Sequence, residues 1–355
     1  MTQRNVIVGG GLSGLYAARL LAAAGEDFRL LEARDRLGGR ILSVAEDGFD
    51  LGPAWFWPDM QPVMTALVEE LGLTGFAQYS DGDVLIERSA QAPVQRFAGF
   101  GQMASSFRIA GGTAALVSAL AAGLPQDKIR LGVQVTQAKL RDDGVALRMR
   151  DADGKEESLG ARRVLFALPP RLLESSVAFT PTPSTRALWR ATPTWMAPHA
   201  KFLAVYDRPF WREQGLSGTA QSAVGPMVEI HDASAIAGKA ALFGFVGVPA
   251  ATRQQIGEAL AGHCLRQLVR LFGPGAGDPA ATYFKDWAAD PLTATADDRD
   301  VSAGHPVAGG APWFDGAWAG HAVMAGSETA SEHPGYLEGA LLAARQAVTI
   351  LLEAR

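Results

Sequence analysis

The stretch "NVIVGGGLSG", residues 5–14, constrains this chain more than any other. Asn5–Val8 is short and mostly apolar and β-branched, as a buried strand requires, and Ser13–Ala24 carries helix formers up to a stop at Gly25. Between them Gly9, Gly11 and Gly14 make the pattern G-x-G-x-x-G. The first glycine lets the chain turn, the second lets a pyrophosphate approach the backbone, and the third lets helix and strand pack closely. Free N–H groups at the helix start, with the positive end of the dipole, favour phosphate there. Phe28–Glu32 reads as a second strand, and Glu32 stands 18 residues past Gly14, close to the spacing of an acid that hydrogen-bonds ribose hydroxyls. Strand, helix and acid together imply a dinucleotide site rather than an ordinary glycine turn. They do not choose between a nicotinamide and a flavin.

The next segment, "EARDRLGGR", makes that choice. Arg34 follows the acid at once, and Arg40 stands eight residues beyond it, behind Gly38 and Gly39. Two glycines permit a second close backbone approach, and a guanidinium beside them pairs with phosphate oxygens. A nicotinamide site needs no second phosphate-facing segment, whereas a flavin cofactor threaded through the domain does.

With 355 residues the chain holds one large domain or two ordinary ones. A formal charge of −5 without a Lys/Arg-rich patch argues against nucleic acid. The single cysteine, Cys264, excludes an intrachain disulfide and fits a reducing compartment, so a cytoplasmic protein is expected. The Leu/Ala-rich run from Leu12 falls short of the roughly 20 residues of a membrane helix, and no membrane partner is expected. The six histidines show no metal-ligand spacing, so no metal site is expected.

Further along, Gln61–Leu71, Thr113–Ala122 (with Thr113 as N-cap), Ala251–Phe272 and Tyr336–Leu352 read as helices. "VQVTQAKL", "VALRMRD", "RRVLFALPP", "KFLAVYD", "MVEIH", "ALFGFVG" and "HAVMAGSE" read as strands. A nucleotide unit opens the chain, yet a second glycine-rich signature, "AGSETA", lies near its far end. A nucleotide domain built from both ends and interrupted by another domain accounts for this. The expected division is 1–55, 102–175 and 305–355 for the first domain, and 56–101 and 176–304 for the second.

"VIVGGGLSGLYAARLLAAAGEDFRLLEARDRLGGR" resembles the N-terminal signature of the flavin-containing amine oxidase family, which includes monoamine, polyamine and L-amino-acid oxidases. "DLGPAW" (50–55), "AKFLAVYDRPFW" (200–211) and "AGSETASEHPGYLEGA" (325–340) resemble three later family segments, in order. The resemblance implies a two-domain α/β fold: a Rossmann-like FAD-binding domain plus a mixed-sheet α+β substrate domain. It also implies non-covalent FAD, contacted by Ser13, Glu32, Arg34, Gly39, Arg40, Gly52, Pro53, Ala54, Trp55, Val135 and Glu328 besides Gly9, Gly11 and Gly14. In such enzymes the C–H bond beside an amine nitrogen is oxidised to an imine, and molecular oxygen is the usual acceptor.

By the same resemblance Lys201, ten positions before Trp211, holds a water beside the flavin's reactive nitrogen, and Tyr336 is one wall of an aromatic cage for the amine. The chain departs from the family where the other wall is expected: "LTATADDRD" follows "YFKDWAADP", with no aromatic and no cysteine. A covalent flavin through this segment is therefore not expected, and Trp287 is a candidate for the wall. Arg88, Arg96, Arg108 and Arg253 are available to pair a substrate carboxylate, with no motif selecting one. A small or aromatic primary amine is the expected substrate. Two rival readings remain: a desaturase-like or renalase-like flavin enzyme, and a flavoprotein-fold binding protein without chemistry.

Overall fold

The computed structural model describes residues 2–44, 46–99, 105–299, 304–307 and 312–353. Among these, two large sheets organise the chain. In the first, Thr2–Val8 lies parallel to both Phe28–Leu31 and Glu156–Phe166. The short strand Ala322–Met324 also pairs in parallel with Glu156–Phe166, so distant parts of the chain meet in one sheet. Val133–Arg141 and Gly144–Asp151 extend it in antiparallel fashion.

Both faces of this sheet are covered, which is why its central strands are continuously apolar rather than alternating. Ile7 and Leu165 enter one core with the helices Leu12–Ala23, Pro62–Glu70, Ala114–Ala122 and Leu337–Glu353. Val6, Val8 and Phe166 enter the opposite core, beside Trp189, Phe314 and Trp318.

The second sheet runs in the order Ala281–Asp286, Ala200–Tyr206, Ala240–Val246, Met227–Asp232, Leu216–Ser222, Asp83–Glu87, Gln95–Phe97. Every residue of Ala200–Tyr206 is buried. One face packs under the helix Ala259–Phe272, and the other meets Phe49 and Leu51 from the nucleotide side. Lys201, near the start of a central strand, therefore lies at the junction of the two units.

Several expectations change. The helix expected over 251–272 is two helices, Ala250–Ile256 and Ala259–Phe272, because Gly257 turns at φ +61°. Thr113 does not cap its helix with its side chain; the hydroxyl donates to Asp50 Oδ1 at 2.7 Å and to the Pro53 carbonyl at 3.0 Å. The helix Pro62–Glu70, expected with the second domain, buries Met64, Leu67 and Val68 in the first core. Glu338 fixes it there by accepting from the N–H groups of Val63 (3.1 Å) and Met64 (2.6 Å), two of the unpaired donors at a helix start. Strand Ala178–Thr180 likewise joins the first sheet rather than the second.

Candidate active site

A cavity of about 510 Å³ runs through the junction of the two units. At one end lie Gly9, Gly11, Ser13, Glu32, Arg34, Val135, Gly38 and Gly39, and at the other Trp55, Trp57, Trp195, Lys201, Phe245, Trp287 and Tyr336. Gly52, Pro53, Ala54 and Arg40 line it between them.

Backbone geometry builds the first end. The helix after the first strand begins at Leu12, with Gly11 as its cap residue, no side-chain cap and no acid in its first turn. Its positive end is left to the cavity. A Cβ on Gly14 would stand 1.9 Å from the Gly9 carbonyl, so helix and loop can approach only without one. A Cβ on Gly11 would meet nothing closer than 3.9 Å and would fill the cavity instead. Glu32, 4 % exposed, accepts from the N–H of Gly10 (2.6 Å) and of Arg34 (2.8 Å). A carboxylate has about four acceptor positions, so it keeps capacity for hydroxyls. A loop of bare N–H groups, an acid for a sugar and a long groove fit a flavin dinucleotide.

The two arginines behave differently from the simplest expectation. Arg34 is held by Asp290 Oδ1 and Thr293 Oγ1, both at 2.9 Å. Arg40 donates to Glu328 (2.6 and 3.2 Å), to Ser327 Oγ (2.9 Å) and to the Trp195 carbonyl (2.9 Å). Both line the cavity, but each arrives with its charge already matched. Glu328 does not line it; its fully buried carboxylate fixes Arg40 and the Trp195 N–H instead. Ser13 donates to the Ala325 carbonyl, tying the first helix to the C-terminal signature.

At the other end Lys201, 3 % exposed, donates to the carbonyls of Asp50 (3.1 Å) and Gly52 (2.8 Å). Its ammonium sits 4.2 Å from the Phe243 ring centre and 5.3 Å from that of Phe245. Burial lowers its pKa from 10.5 to about 7, although Asp50 opposes the shift. Asp50 itself is pushed upward by burial. Trp287 donates from Nε1 to the Leu51 carbonyl at 3.0 Å, which locks its ring against the 50–55 loop.

Tyr336 has Trp57 edge-on at 6.1 Å and Trp195 at 6.2 Å with a 37° tilt. Trp195, Met196, His199, Glu229 and Phe245 line the cavity without having been singled out from sequence. They belong to no motif, and only their place beside or across from Lys201 in the sheet marks them. Glu229 Oε1 lies 2.6 Å from His231 Nε2, a contact that holds its carboxyl below the ordinary range. Among Arg88, Arg96, Arg108 and Arg253, none lines this cavity. Arg253 pairs with Asp286, Arg96 with Asp83, and Arg108 donates to the Ser234 carbonyl beside a smaller cavity. Among the described residues no group of His, Cys, Asp and Glu is arranged to hold a metal, and no helix is long and apolar enough to cross a membrane.

This geometry can be set beside known proteins. Residues 7–71 match the NAD(P)-binding Rossmann-like domain, and residues 81–352 match the flavin containing amine oxidoreductase family. A putrescine oxidase of Kocuria rosea is 49% identical over 80 residues, 22% of this chain and 16% of that protein. A Dictyostelium discoideum protein named "Probable flavin-containing monoamine oxidase A" is 24% identical over 95% of this chain and 94% of its own length. The structure of cyclohexylamine oxidase from Brevibacterium oxydans IH-35A superposes with a TM-score of 0.81 over 99% of both chains, at 20% identity, a likeness of fold. With its second match covering most of its length, the chain belongs to the family of flavin-containing amine oxidoreductases.

Proposed function

We propose that this protein oxidises the C–H bond beside the nitrogen of a small or aromatic primary amine, with FAD as non-covalent cofactor and molecular oxygen as final acceptor. The balanced reaction turns amine and O₂ into imine and hydrogen peroxide, and water then hydrolyses the imine. The observation that carries this reading is that Lys201 and Tyr336 line one end of a cavity whose other end is the glycine-rich nucleotide cradle.

Bound FAD supplies the two-electron redox chemistry, so no acid–base triad is demanded of the side chains. The chain's own residues divide the remaining work. Glu32 and the bare helix start hold the dinucleotide end, with Arg40 alongside and held in place by Glu328. Tyr336 orients the amine nitrogen. Trp287 fixes the 50–55 loop through Leu51, and its ring closes the wall beside Lys201. Lys201 presents a cation, with a pKa near 7, where negative charge develops as oxygen is reduced. Two arginines line the cavity, and both are paired with carboxylates. Among the described residues this leaves no guanidinium on the wall for a substrate carboxylate and favours simple amines over amino acids.

The test is an anaerobic visible spectrum of the purified protein before and after addition of amines and amino acids. Bleaching of the flavin by amines supports the reading. A flavin bleached by no amine defeats it in favour of a desaturase-like or non-catalytic flavoprotein. Lys201→Met then slows aerobic reoxidation more than anaerobic reduction; equal slowing of both would remove the assigned role of Lys201.

A further inference from the structure

The segment 292–300, "LTATADDRD", brings no aromatic side chain to face Tyr336. Its described residues are used otherwise. Leu292 and Thr293 line the cavity, with Thr293 bonded to Arg34, and Asp298 turns inward, 1 % exposed. There Asp298 accepts from Arg171 at 2.7 Å and from the N–H and hydroxyl of Thr194 at 3.1 and 3.2 Å. Thr194 directly precedes Trp195.

Trp195 is held on every side by groups that have no other evident reason to converge on a loop. Its N–H donates to the buried Glu328 carboxylate at 3.2 Å, and its carbonyl accepts from Arg40 at 2.9 Å. The next residue, Met196, takes φ +62°, a conformation that strains a side chain with a Cβ. Gly335, next to Tyr336, runs so close that a Cβ on it would stand 2.6 Å from the Trp195 Cβ. A tryptophan serving only as core filling needs neither two buried carboxylates on its backbone nor a strained neighbour. Its ring lines the cavity and is the aromatic nearest to parallel with Tyr336 of the two tryptophans beside it: 37° for Trp195 against 82° for Trp57. His305 packs 4.2 Å from the Trp195 ring and 5.3 Å from Tyr336, and does not line the cavity.

We infer that Trp195 is the second aromatic wall of the amine cleft, facing Tyr336, and that Asp298 and Glu328 are positioning residues that hold its peptide. This rests on the amine-oxidising reading above and extends it to a residue from a different part of the chain. Two π faces present negative quadrupoles to the polarised amine from both sides, and fixed walls restrict the orientations of the C–H bond.

The experiment compares Trp195→Phe, Trp195→Leu and Tyr336→Ala in flavin-loaded enzyme. Anaerobic flavin bleaching by benzylamine is followed by stopped flow. Binding of α,α-dimethylbenzylamine, which has no C–H beside its nitrogen, is followed by perturbation of the visible spectrum. Trp195→Phe stays within about threefold of wild type on both readouts, while Trp195→Leu loses about tenfold or more on both with flavin content unchanged. Trp195→Leu at wild-type values, with Tyr336→Ala impaired, overturns the assignment and leaves the amine reading standing. Loss of flavin from both Trp195 variants makes the residue structural and also overturns it. Wild-type enzyme bleached by no amine defeats both readings together.

Discussion

Replacing Lys201 by Met should raise the melting temperature at low pH and lose that advantage as the pH rises. The ammonium of Lys201 is buried among carbonyls and phenylalanine rings, and its pKa falls from 10.5 to about 7. At about 1.36 kcal/mol per pH unit, the folded state disfavours the protonated lysine by ~4.8 kcal/mol relative to the unfolded chain. The sign follows from proton counting. Between pH 7 and 10.5 the unfolded chain holds the proton and the folded chain has released it, so stability rises with pH across this window. Below pH 7 both states are protonated and the full burden is present. From pH 6 to pH 9 the wild type therefore gains about 2.7 kcal/mol that Met cannot gain. At ~2.1 cal/mol/K per residue, unfolding entropy makes 1 kcal/mol worth about 1.3 °C in a chain of this size, so the gain is about 4 °C. Met leaves the Asp50 and Gly52 carbonyls without this donor, a pH-independent loss of about 1 kcal/mol each. The assay is a thermal melt of flavin-free wild type and Lys201→Met at pH 6, 7.5 and 9. A difference between the two proteins that does not change with pH would refute the depressed pKa and the burial argument beneath it.

Other substitutions test other parts of the site. Arg40→Ala leaves the Glu328 carboxylate buried without its cation, which costs about 3–5 kcal/mol and loosens flavin retention; an unchanged melting temperature would show that Glu328 does not depend on the pair. Gly11→Ala and Gly14→Ala should separate binding from folding. The first projects into the cavity and weakens FAD binding in a folded protein, whereas the second collides with the Gly9 carbonyl and prevents folding. Equal circular dichroism and equal FAD affinity for the two would remove the cradle assignment. Glu229→Gln should raise KM for cationic amines by about two- to fivefold with kcat little changed, the modest effect of a half-exposed charge. A fall in kcat at unchanged KM would place Glu229 in the chemistry instead.

How much of this was legible in the sequence depended on whether local chain chemistry decided the outcome. Gly9, Gly11, Gly14 and Glu32 could be read because the turn, the helix start and the strand end lie within one short unit, where backbone sterics leave few alternatives. The strand around Lys201 was legible for a similar reason, since a continuous apolar run marks a strand buried on both faces. Arg40 and Glu328 were both named, yet their pairing with each other was hidden, because it joins residues at opposite ends of the chain. The split at Gly257 was missed because periodic apolar residues continue through it, and only the positive φ breaks the helix. Trp195 carried no readable signal. Its importance comes from Arg40, Asp298 and Glu328 converging on adjacent peptide groups, and none of those is near it in sequence.

The sheet that joins Thr2–Val8, Glu156–Phe166 and Ala322–Met324 also dictates a timetable. A ribosome delivers the nucleotide loop early, but Ala325 and Glu328, which hold Ser13 and Arg40, emerge some three hundred residues later. The first helix packs against Leu337–Glu353, so its apolar face has no native cover until the end of synthesis. Flavin capture is consequently an event of the finished chain. Apolar surface exposed in the meantime makes supply of the cofactor during expression, rather than catalytic competence, the step that limits yield of soluble enzyme.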